Sequence, residues 1–158
     1  MADEMADKKI WDYCINSAIR RASRQLGQLY DDILAPTGLR NTQHALLTQI
    51  GNSGDASLKR LAELMVMDLS ALGHTLKPLI RDGYVELVPD GKDKRVKRVR
   101  LTESGQQKRL ECGKLWLKAQ ASFDDQLGKE QSDALRQAVN RLSEPDFVRD
   151  FTQSLEQP

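Results

Sequence analysis

The residues with the most evident chemistry are six cations in one ten-residue segment. Residues 91 to 100 carry a net charge of +5, whereas the whole chain carries only +1, so the remainder is net acidic at −4. Phosphate neutralisation acts only where cations contact a nucleic acid, so a local basic face matters more than a basic average. The plainer alternative is a solvated surface strand. The cations are Lys92, Lys94, Arg95, Lys97, Arg98 and Arg100, with Asp93 as the one acidic residue among them.

Other residues that could do chemistry are scattered along the chain. His44, His74, Cys14 and Cys112 show no HxxxH or CxxC spacing, so no metal site is expected. The sequence also lacks GxxxxGK[ST], GxGxxG and GxSxG, the patterns of phosphate loops, dinucleotide sites and nucleophile elbows. We therefore expect no cofactor and no enzymatic activity.

The composition limits the architecture and the compartment. A chain of 158 residues that is 39% hydrophobic and 30% charged can form one compact domain or a domain with helical extensions. No apolar run approaches the roughly 18 to 20 residues that span a bilayer, and the N-terminus has no apolar signal-peptide centre. Two unpaired cysteines are typical of a reducing compartment. We expect a cytoplasmic protein without a membrane partner.

Apolar periodicity predicts the elements that must position the basic segment. A repeat of four and three residues predicts one long helix from about residue 9 to 34, and its 3.5-residue period favours packing on another helix. Asn41 or Thr42 could cap a short second helix. The long helix has its apolar seam at Ile15, Ile19, Ala22, Leu26, Leu29 and Ile33.

Two more short helices are predicted to follow, joined by a tight turn. Ser57 and Asp68 are suitable N-caps, and Gly83 suits the left-handed position that ends the second of these helices. Pro78 forfeits a backbone hydrogen bond, which normally costs about 3 kcal/mol or more and would kink or loosen the helix, although simple packing is the reading we favour. The second helix should turn Leu69, Leu72, Leu76 and Leu79 or Ile80 inward.

A β-hairpin with a basic tip is predicted next. Residues 84 to 88 are β-prone, residues 89 to 91 supply turn chemistry, and residues 96 to 101 alternate between two faces. One face would carry Lys97, Val99 and Leu101, and the other Val96, Arg98 and Arg100. A helix-turn-helix followed by a hairpin is a winged helix, whose wing can follow the DNA backbone or enter the minor groove.

The segment "SLKRLAELMVMDLSALGHTLKPLIRDGYVELVPDGKDKRVKRVRLTESG" resembles the winged helix of the MarR family of bacterial transcription regulators. The specific marks are "LIRDGYVEL", the Asp93-x-Arg95 pair and "LTESG". The resemblance implies a mainly α (α+β) fold in which a winged helix-turn-helix with a two-stranded wing is flanked by dimerisation helices. Its domains would be residues 1–38, 39–104 and 105–158, with the middle one binding DNA. A helix capped by Thr102, with Leu115, Ala119, Phe123 and Leu127 on one side, begins the C-terminal part.

The same resemblance implies a function. The protein would be a homodimeric regulator, most simply a repressor, that binds a palindromic operator in double-stranded DNA at the nucleoid. Two recognition helices spaced by roughly 34 to 36 Å would read two half-sites. A small aromatic or phenolic effector would favour a dimer whose helices are spaced wrongly for the operator.

The resemblance also assigns residues to DNA. His74 stands where many relatives have arginine, so it cannot make a bidentate contact to guanine. Arg95 resembles the minor-groove arginine of the family, and Asp93 would hold the wing tip by pairing with it or with nearby backbone donors. The predicted DNA-binding residues are Ser57, Ser70, Ala71, Gly73, His74, Lys77, Lys92, Asp93, Lys94, Arg95, Lys97 and Arg98.

The effector leaves several alternatives open. A crevice between the dimerisation helices and the winged helix would have Arg20 or His44 facing an anionic group, although ordinary core or solvent-facing roles also fit each candidate. Cys14 allows a peroxide-sensing regulator, against which stands a buried, inert thiol. A third reading is a helical interaction protein whose wing binds an acidic protein. The crevice candidates are Trp11, Ile15, Arg20, His44, Leu47 and Trp116.

Overall fold

The computed structural model describes residues 13–156, which form helices and one two-stranded antiparallel sheet. The mainly α fold expected from the sequence is confirmed. Trp11 lies outside the described residues. In chain order the elements are α1 (Ile15–Leu34), a 3-10 turn (Ala35–Thr37), α2 (Asn41–Ser53), α3 (Leu58–Leu64), α4 (Leu69–Arg81), β1 (Val85–Pro89), β2 (Lys97–Leu101), α5 (Glu103–Leu127), α6 (Lys129–Arg141) and α7 (Pro145–Glu156).

Three helices begin at the predicted N-caps. The side-chain oxygens of Ser57, Asp68 and Thr102 each accept a hydrogen bond from the backbone N–H three residues on, at 3.1, 2.7 and 3.0 Å. Each bond satisfies one of the N–H groups that a helix leaves without an internal partner. The starts of α3, α4 and α5 are therefore fixed by short-range N-cap hydrogen bonds, which the sequence predicts.

The start of α2 differs from the prediction. Neither Asn41 nor Thr42 is its N-cap, because both already lie inside the helix and Arg40 occupies the cap position. The N–H of Arg40 donates to Oε1 of Gln43 at 2.9 Å, and the N–H of Asn41 donates to Oδ1 of Asp31 in α1 at 2.7 Å. A carboxylate from a neighbouring helix therefore replaces the predicted cap.

The first long helix is described from Ile15, with Cys14 as its N-cap, and the predicted start near residue 9 lies outside the described residues. Its apolar seam is only partly packed inside this chain, because Ile19, Leu26 and Ile33 are half-buried while the other seam residues are exposed. Ile15 is 68% exposed and Leu29 is also exposed, and Leu34 is the only fully buried residue of α1. The seam that predicted helix-on-helix packing therefore faces outward over much of its length.

The fourth helix buries most of the predicted positions. Leu72, Leu76 and Leu79 lie in the core, and α4 continues through the half-buried Pro78 to Arg81. Leu69 was expected to face inward, but it is 58% exposed because it is the first residue of the helix and lies on the turn side.

The wing pairs β1 with β2 from Val85↔Leu101 at its base to Pro89↔Lys97 near its tip. Val85 and Val99 are buried against the helices, so one side of the wing belongs to the core. The register leaves residues 90 to 96 as the connecting tip, which contains three of the six cations of the basic segment, and the other three lie in β2.

The hydrophobic core lies almost entirely between residues 34 and 112. It comprises the inner faces of α2, α3 and α4, the base of the wing and one turn of α5. No residue of α7 is buried, and Ser132 is the one buried residue of α6. The core members are Leu34, Leu39, Leu46, Leu47, Ile50, Leu61, Ala62, Leu72, Leu76, Leu79, Val85, Val99 and Cys112.

Candidate nucleic-acid interface

The fourth helix offers one solvent-exposed face. Because its three buried leucines recur at helical spacing, the opposite side carries Ser70, Gly73, His74 and Lys77, all of them exposed. Ala71 is half-buried at the edge of this face, where its backbone N–H is bound by the cap. The exposed face combines small residues, which allow close approach, with three side chains that can donate hydrogen bonds, those of Ser70, His74 and Lys77.

The wing tip is organised by its own aspartate. Oδ1 of Asp93 accepts hydrogen bonds from the backbone N–H of Arg95 at 3.0 Å and from its Nε at 3.1 Å, and Oδ2 accepts one from Nη2 at 3.1 Å. These bonds hold the pKa of Asp93 below its ordinary value. The side chain of Arg95 is nevertheless 91% exposed. The pair expected from the sequence is present, and it orders the tip while leaving the guanidinium accessible.

The other cations of the basic segment divide into two groups. Lys92, Lys94 and Lys97 are exposed and project from the tip or its first paired position. Arg98 is only half-exposed, because its Nε donates to Oδ2 of Asp90 and its Nη1 to the carbonyl oxygen of Asp55. The three lysines are thus available to a ligand, while Arg98 is already engaged at the wing base.

The buried Asp90 is the acceptor at the junction of tip and base. It accepts backbone N–H bonds from Asp93 at 2.9 Å and Lys92 at 2.7 Å, besides the bond from Arg98. These donors, that of Asp93 first, lower its pKa to about 2. Asp90 is therefore ionised throughout the physiological range.

Ser57 is both a predicted DNA contact and the predicted N-cap of α3, and the structure shows the cap. Its Oγ caps α3, and its backbone bridges to Arg98 of the wing. The hydroxyl is half-buried at the start of the helix.

Sequence reasoning missed the acidic residues that hold this wing. Asp55 binds Arg100 through both carboxylate oxygens, with Arg100 Nε at 2.6 Å from Oδ1. The hydrogen bonds keep the pKa of Asp55 low. No local pattern could have paired two residues that lie 45 positions apart. The alternation along β2 indicated only that Arg98 and Arg100 share a face.

An open apolar groove lies between α1, α5 and α6. Its volume is about 750 Å³, and two of the predicted effector residues, Ile15 and Trp116, line it. Tyr30 contributes a phenol that accepts a hydrogen bond from Gln120, and burial raises its pKa. Most residues that line the groove are apolar, and its polar residues are Ser23, Tyr30, Asn41, Gln120, Arg136 and Asn140.

The other predicted effector residues lie elsewhere. Leu47 is fully buried in the core, and His44 is buried in α2 with Nε2 at 3.4 Å from the hydroxyl of Thr48. Burial, and secondarily the charge of Arg109, lowers the pKa of His44. Arg20 is exposed on α1 and does not line the groove. The structure thus does not gather the described candidates in one cavity.

The two cysteines have opposite environments. Cys14 is half-exposed, and hydrogen bonding by Ser17 lowers its pKa. Cys112 is fully buried in the core, and burial raises its pKa. Of the two, only Cys14 combines access with a stabilised thiolate.

Residues 13–156 hold no group of three or more histidine, cysteine, aspartate or glutamate side chains placed to bind a metal ion. In the same part of the chain no helix is long and apolar enough to cross a membrane.

Comparison with known proteins agrees with the geometry. A family model described as "MarR family" matches residues 39–97. No curated protein sequence matches the chain. The chain is 32% identical to the solved transcriptional regulator MosR of M. tuberculosis in complex with DNA, covering 80% of this chain and 96% of MosR with a TM-score of 0.67.

Two structures of the regulator CouR are similar in fold. The repressor CouR bound to a 23-mer DNA duplex is 18% identical, with 84% of this chain and 94% of CouR covered and a TM-score of 0.78. CouR of Rhodococcus jostii RHA1 bound to p-coumaroyl-CoA is 19% identical, with 87% and 97% covered and a TM-score of 0.74.

Proposed function

This chain belongs to the MarR family, and from that premise we propose that it is a homodimeric repressor that binds a pseudo-palindromic operator in double-stranded DNA. The observation that carries the proposal is the exposed wing tip with Arg95 and its lysines, in the same domain as the exposed face of α4. MosR and CouR, which share the fold, have been solved with DNA. The protein would act in the cytoplasm, at the nucleoid.

In this proposal α4 reads the major groove and the wing reaches the minor groove or the phosphates. Ser70, Gly73, His74 and Lys77 face the bases, and Ala71 contributes through the edge of the helix. Arg95 enters the minor groove, where a narrow groove concentrates negative potential. Lys92, Lys94 and Lys97 neutralise phosphates, while Ser57, Asp93 and Arg98 act by holding the elements in place.

The dimer is supported by two apolar surfaces that have no partner within the chain. α7 exposes Val148, Phe151 and Leu155 at helical spacing, and the groove between α1, α5 and α6 is open. The two helices also differ in charge: α1 carries three arginines, which lie outside the lining of the groove, and two aspartates near its C-terminal end, whereas α7 carries three acidic residues against one arginine. An amphipathic helix laid into an apolar groove is a common recognition mode. We therefore assign the groove to α7 of a second copy.

The direction of α7 is set by its connection to α6. Nη1 of Arg141 lies 2.5 Å from Oε2 of Glu144 and 2.7 Å from Oδ1 of Asp146, and the guanidinium lies 5.6 Å from the ring centre of Phe147. These contacts fix the turn between α6 and α7 and leave the apolar face of α7 uncovered by its own chain. A second copy is thus the occupant that the charge pattern and the turn both favour.

The effector in this proposal is a small aromatic or phenolic molecule that favours an unsuitable spacing of the two α4 helices. CouR was solved with p-coumaroyl-CoA, which supports an aromatic ligand class for the fold. A second candidate is an oxidant acting on Cys14, supported by its access and lowered pKa. Loss of DNA affinity on adding the molecule supports the first. Loss on adding peroxide, absent in Cys14→Ser, supports the second.

The test is fluorescence anisotropy on a duplex from the region upstream of the gene, compared with a scrambled duplex, over a salt titration. We expect sequence-dependent binding, weakened roughly tenfold in Arg95→Ala, with the log-log salt slope reduced by up to about 1.8, because the homodimer loses two cations. Lys114→Ala removes one cation from α5, outside both DNA-facing surfaces, and should leave the slope unchanged. Equal weak binding to all duplexes would instead favour an acidic protein partner for the wing.

A further inference from the structure

The base of the wing is fastened to the loop between α2 and α3. The carboxylate of Asp55 binds the guanidinium of Arg100 through two parallel hydrogen bonds, and the carbonyl oxygen of Asp55 accepts a third from Arg98. Bidentate arginine–carboxylate pairs fix direction as well as distance. One loop residue therefore holds two consecutive outward-facing side chains of β2.

The backbone reinforces the same junction. The N–H of Val99 donates to the carbonyl oxygen of Ala56 at 3.0 Å, and Ser57 forms an isolated antiparallel bridge with Arg98. Residues 55 to 57 therefore pair with β2 in the manner of a short third strand. Ala56 and Val99 are both buried there. Because Ser57 is also the N-cap of α3, the wing is connected directly to the helix-turn-helix.

A second aspartate extends the connection to the tip. Asp90 accepts from Arg98 and from the backbone of the tip loop, so a continuous series of hydrogen bonds runs from Asp93 through Asp90 and Arg98 to Asp55. Arg98 and Arg100 are thereby occupied by protein acceptors. Their charges contribute to the basic segment, yet their donors are aimed at the loop rather than at solvent.

We propose that Asp55 is a positioning residue that holds the wing at a fixed place relative to α4, so that the wing tip and the recognition helix contact DNA together. This inference rests on the proposed function. Asp55 and Arg100 are both about half-exposed, and exposed ion pairs contribute little to global stability. Their effect is therefore on orientation, since a wing that is already ordered loses less entropy on binding.

The direction in which operator affinity changes in Asp55→Asn distinguishes a positioning role from a purely electrostatic effect of its charge. Asp55→Asn removes a negative charge from the DNA-binding domain, which by itself would strengthen binding to a polyanion. If Asp55 positions the wing, the same substitution weakens operator binding, roughly three- to tenfold. Asp82→Asn is the matched control, because Asp82 is an exposed aspartate of the same domain that pairs only with Arg81 in α4. Tighter binding by Asp55→Asn would overturn the proposal.

A double-mutant comparison then tests whether Asp55 and Arg100 act as one unit. The variants are Asp55→Asn, Arg100→Gln and the two combined. A shared anchor predicts that the double variant binds no more weakly than Arg100→Gln alone. If Arg100 contacted a phosphate, the effects would add and Arg100→Gln would lower the salt slope by about 1.8, since the homodimer has two copies. Additive losses would therefore contradict the positioning role.

Hydrogen exchange of the free protein tests the anchor without DNA. The N–H of Val99 should exchange at least several-fold faster in Asp55→Asn than in the wild type, while amides of α4 and the melting temperature stay unchanged. Unchanged exchange of the Val99 N–H would contradict the positioning role of Asp55 even if the protein binds its operator. Faster exchange in a protein that shows no operator binding would leave the anchor intact and remove the proposed function instead.

Discussion

Two helix ends in this domain use the same hydrogen bonds with different residues. After α4, the N–H of Tyr84 donates to the carbonyl of Leu79 at 2.9 Å, and Gly83 takes the left-handed conformation with φ of 76°. After α3, the N–H of Met67 donates to the carbonyl of Ala62 at 2.9 Å, and Val66 occupies the left-handed position with φ of 51°. Both are Schellman motifs.

Val66 is the strained member of this pair. A left-handed conformation costs an L-residue roughly 1 to 2 kcal/mol, and a β-branched side chain is especially unfavourable there. Its side chain gains little in return, because it is among the most exposed large apolar residues of the described chain. The turn of the helix-turn-helix therefore carries backbone strain that its neighbours hold in place.

We predict that Val66→Gly stabilises the fold. Relief of the strain exceeds the extra entropy that glycine brings to the unfolded chain, so the free energy of unfolding should rise by about 0.5 to 1 kcal/mol. Urea denaturation followed by circular dichroism measures this. Val66→Ala keeps a Cβ in the left-handed region and should change stability by less than about 0.5 kcal/mol. A destabilised Val66→Gly would show that the turn is not strained.

At the scale of elements, the junction between the wing and α5 explains the motif "LTESG". The hydroxyl of Thr102 donates to the carbonyl of Gly83 at 2.6 Å while it caps α5, and the N–H of Thr102 donates to the carbonyl of Tyr84 at 3.1 Å. Gly105 then passes so close to Tyr84 that a Cβ would overlap its carbonyl oxygen. Helix α5 can approach the strand only because residue 105 is glycine.

We predict that Gly105→Ala destabilises the protein by about 3 kcal/mol or more, because the clash is with backbone that cannot rotate away. Gly113→Ala on the same helix is the matched control, since nothing lies within 4 Å of an added Cβ there. In a helix interior this control should gain about 0.5 to 1 kcal/mol. Equal effects of the two substitutions in urea denaturation would contradict the close approach of α5 to the wing.

At the scale of the whole molecule, the core and the exposed apolar surface belong to different parts of the chain. The core extends from Leu34 to Cys112, whereas much of α1, α6 and α7 shows apolar side chains to solvent. Exposed apolar patches of this kind mark association surfaces. The core therefore belongs mainly to the winged helix, while the outer helices leave apolar surface that a partner could cover.

We predict that two defective variants restore each other's dimerisation. Phe151→Asp disables the apolar face of α7, and Ala22→Asp disables the groove, so each homodimer loses both of its symmetry-related contacts. Each should raise the dimer dissociation constant roughly 100-fold or more, because an unpaired charge is buried. Mixing them reconstitutes one intact contact. Sedimentation analysis of labelled variants should therefore detect heterodimers tighter than either homodimer.

Ala45→Asp on the exposed face of α2 makes the same chemical change outside the groove and should leave dimerisation as in the wild type. A mixture that dimerises no better than its components would place α7 on its own chain or elsewhere. If both variants still dimerise and bind the operator, the proposed regulator stands and the assignment of α7 to the groove is wrong.

The elements that were predicted correctly depend on interactions between near neighbours. Ser57, Asp68 and Thr102 each bind a backbone N–H three residues away, and Gly83 ends α4 through bonds that span at most five residues. Such signals are contained in a short window of sequence. The motifs of the wing and the order of helix and strand could be predicted for the same reason, and the resemblance to the family rests on them.

The sequence alone predicts the element order, the N-caps of α3, α4 and α5, the wing with its basic tip and the family of the protein. Tertiary packing adds that Asp31 completes the start of α2, that Arg98 and Arg100 are held by Asp55, and that the seam of α1 borders an open groove. The cause of this division is distance along the chain. Ion pairs and surface grooves join residues tens of positions apart, and such partners are chosen by packing rather than by local pattern.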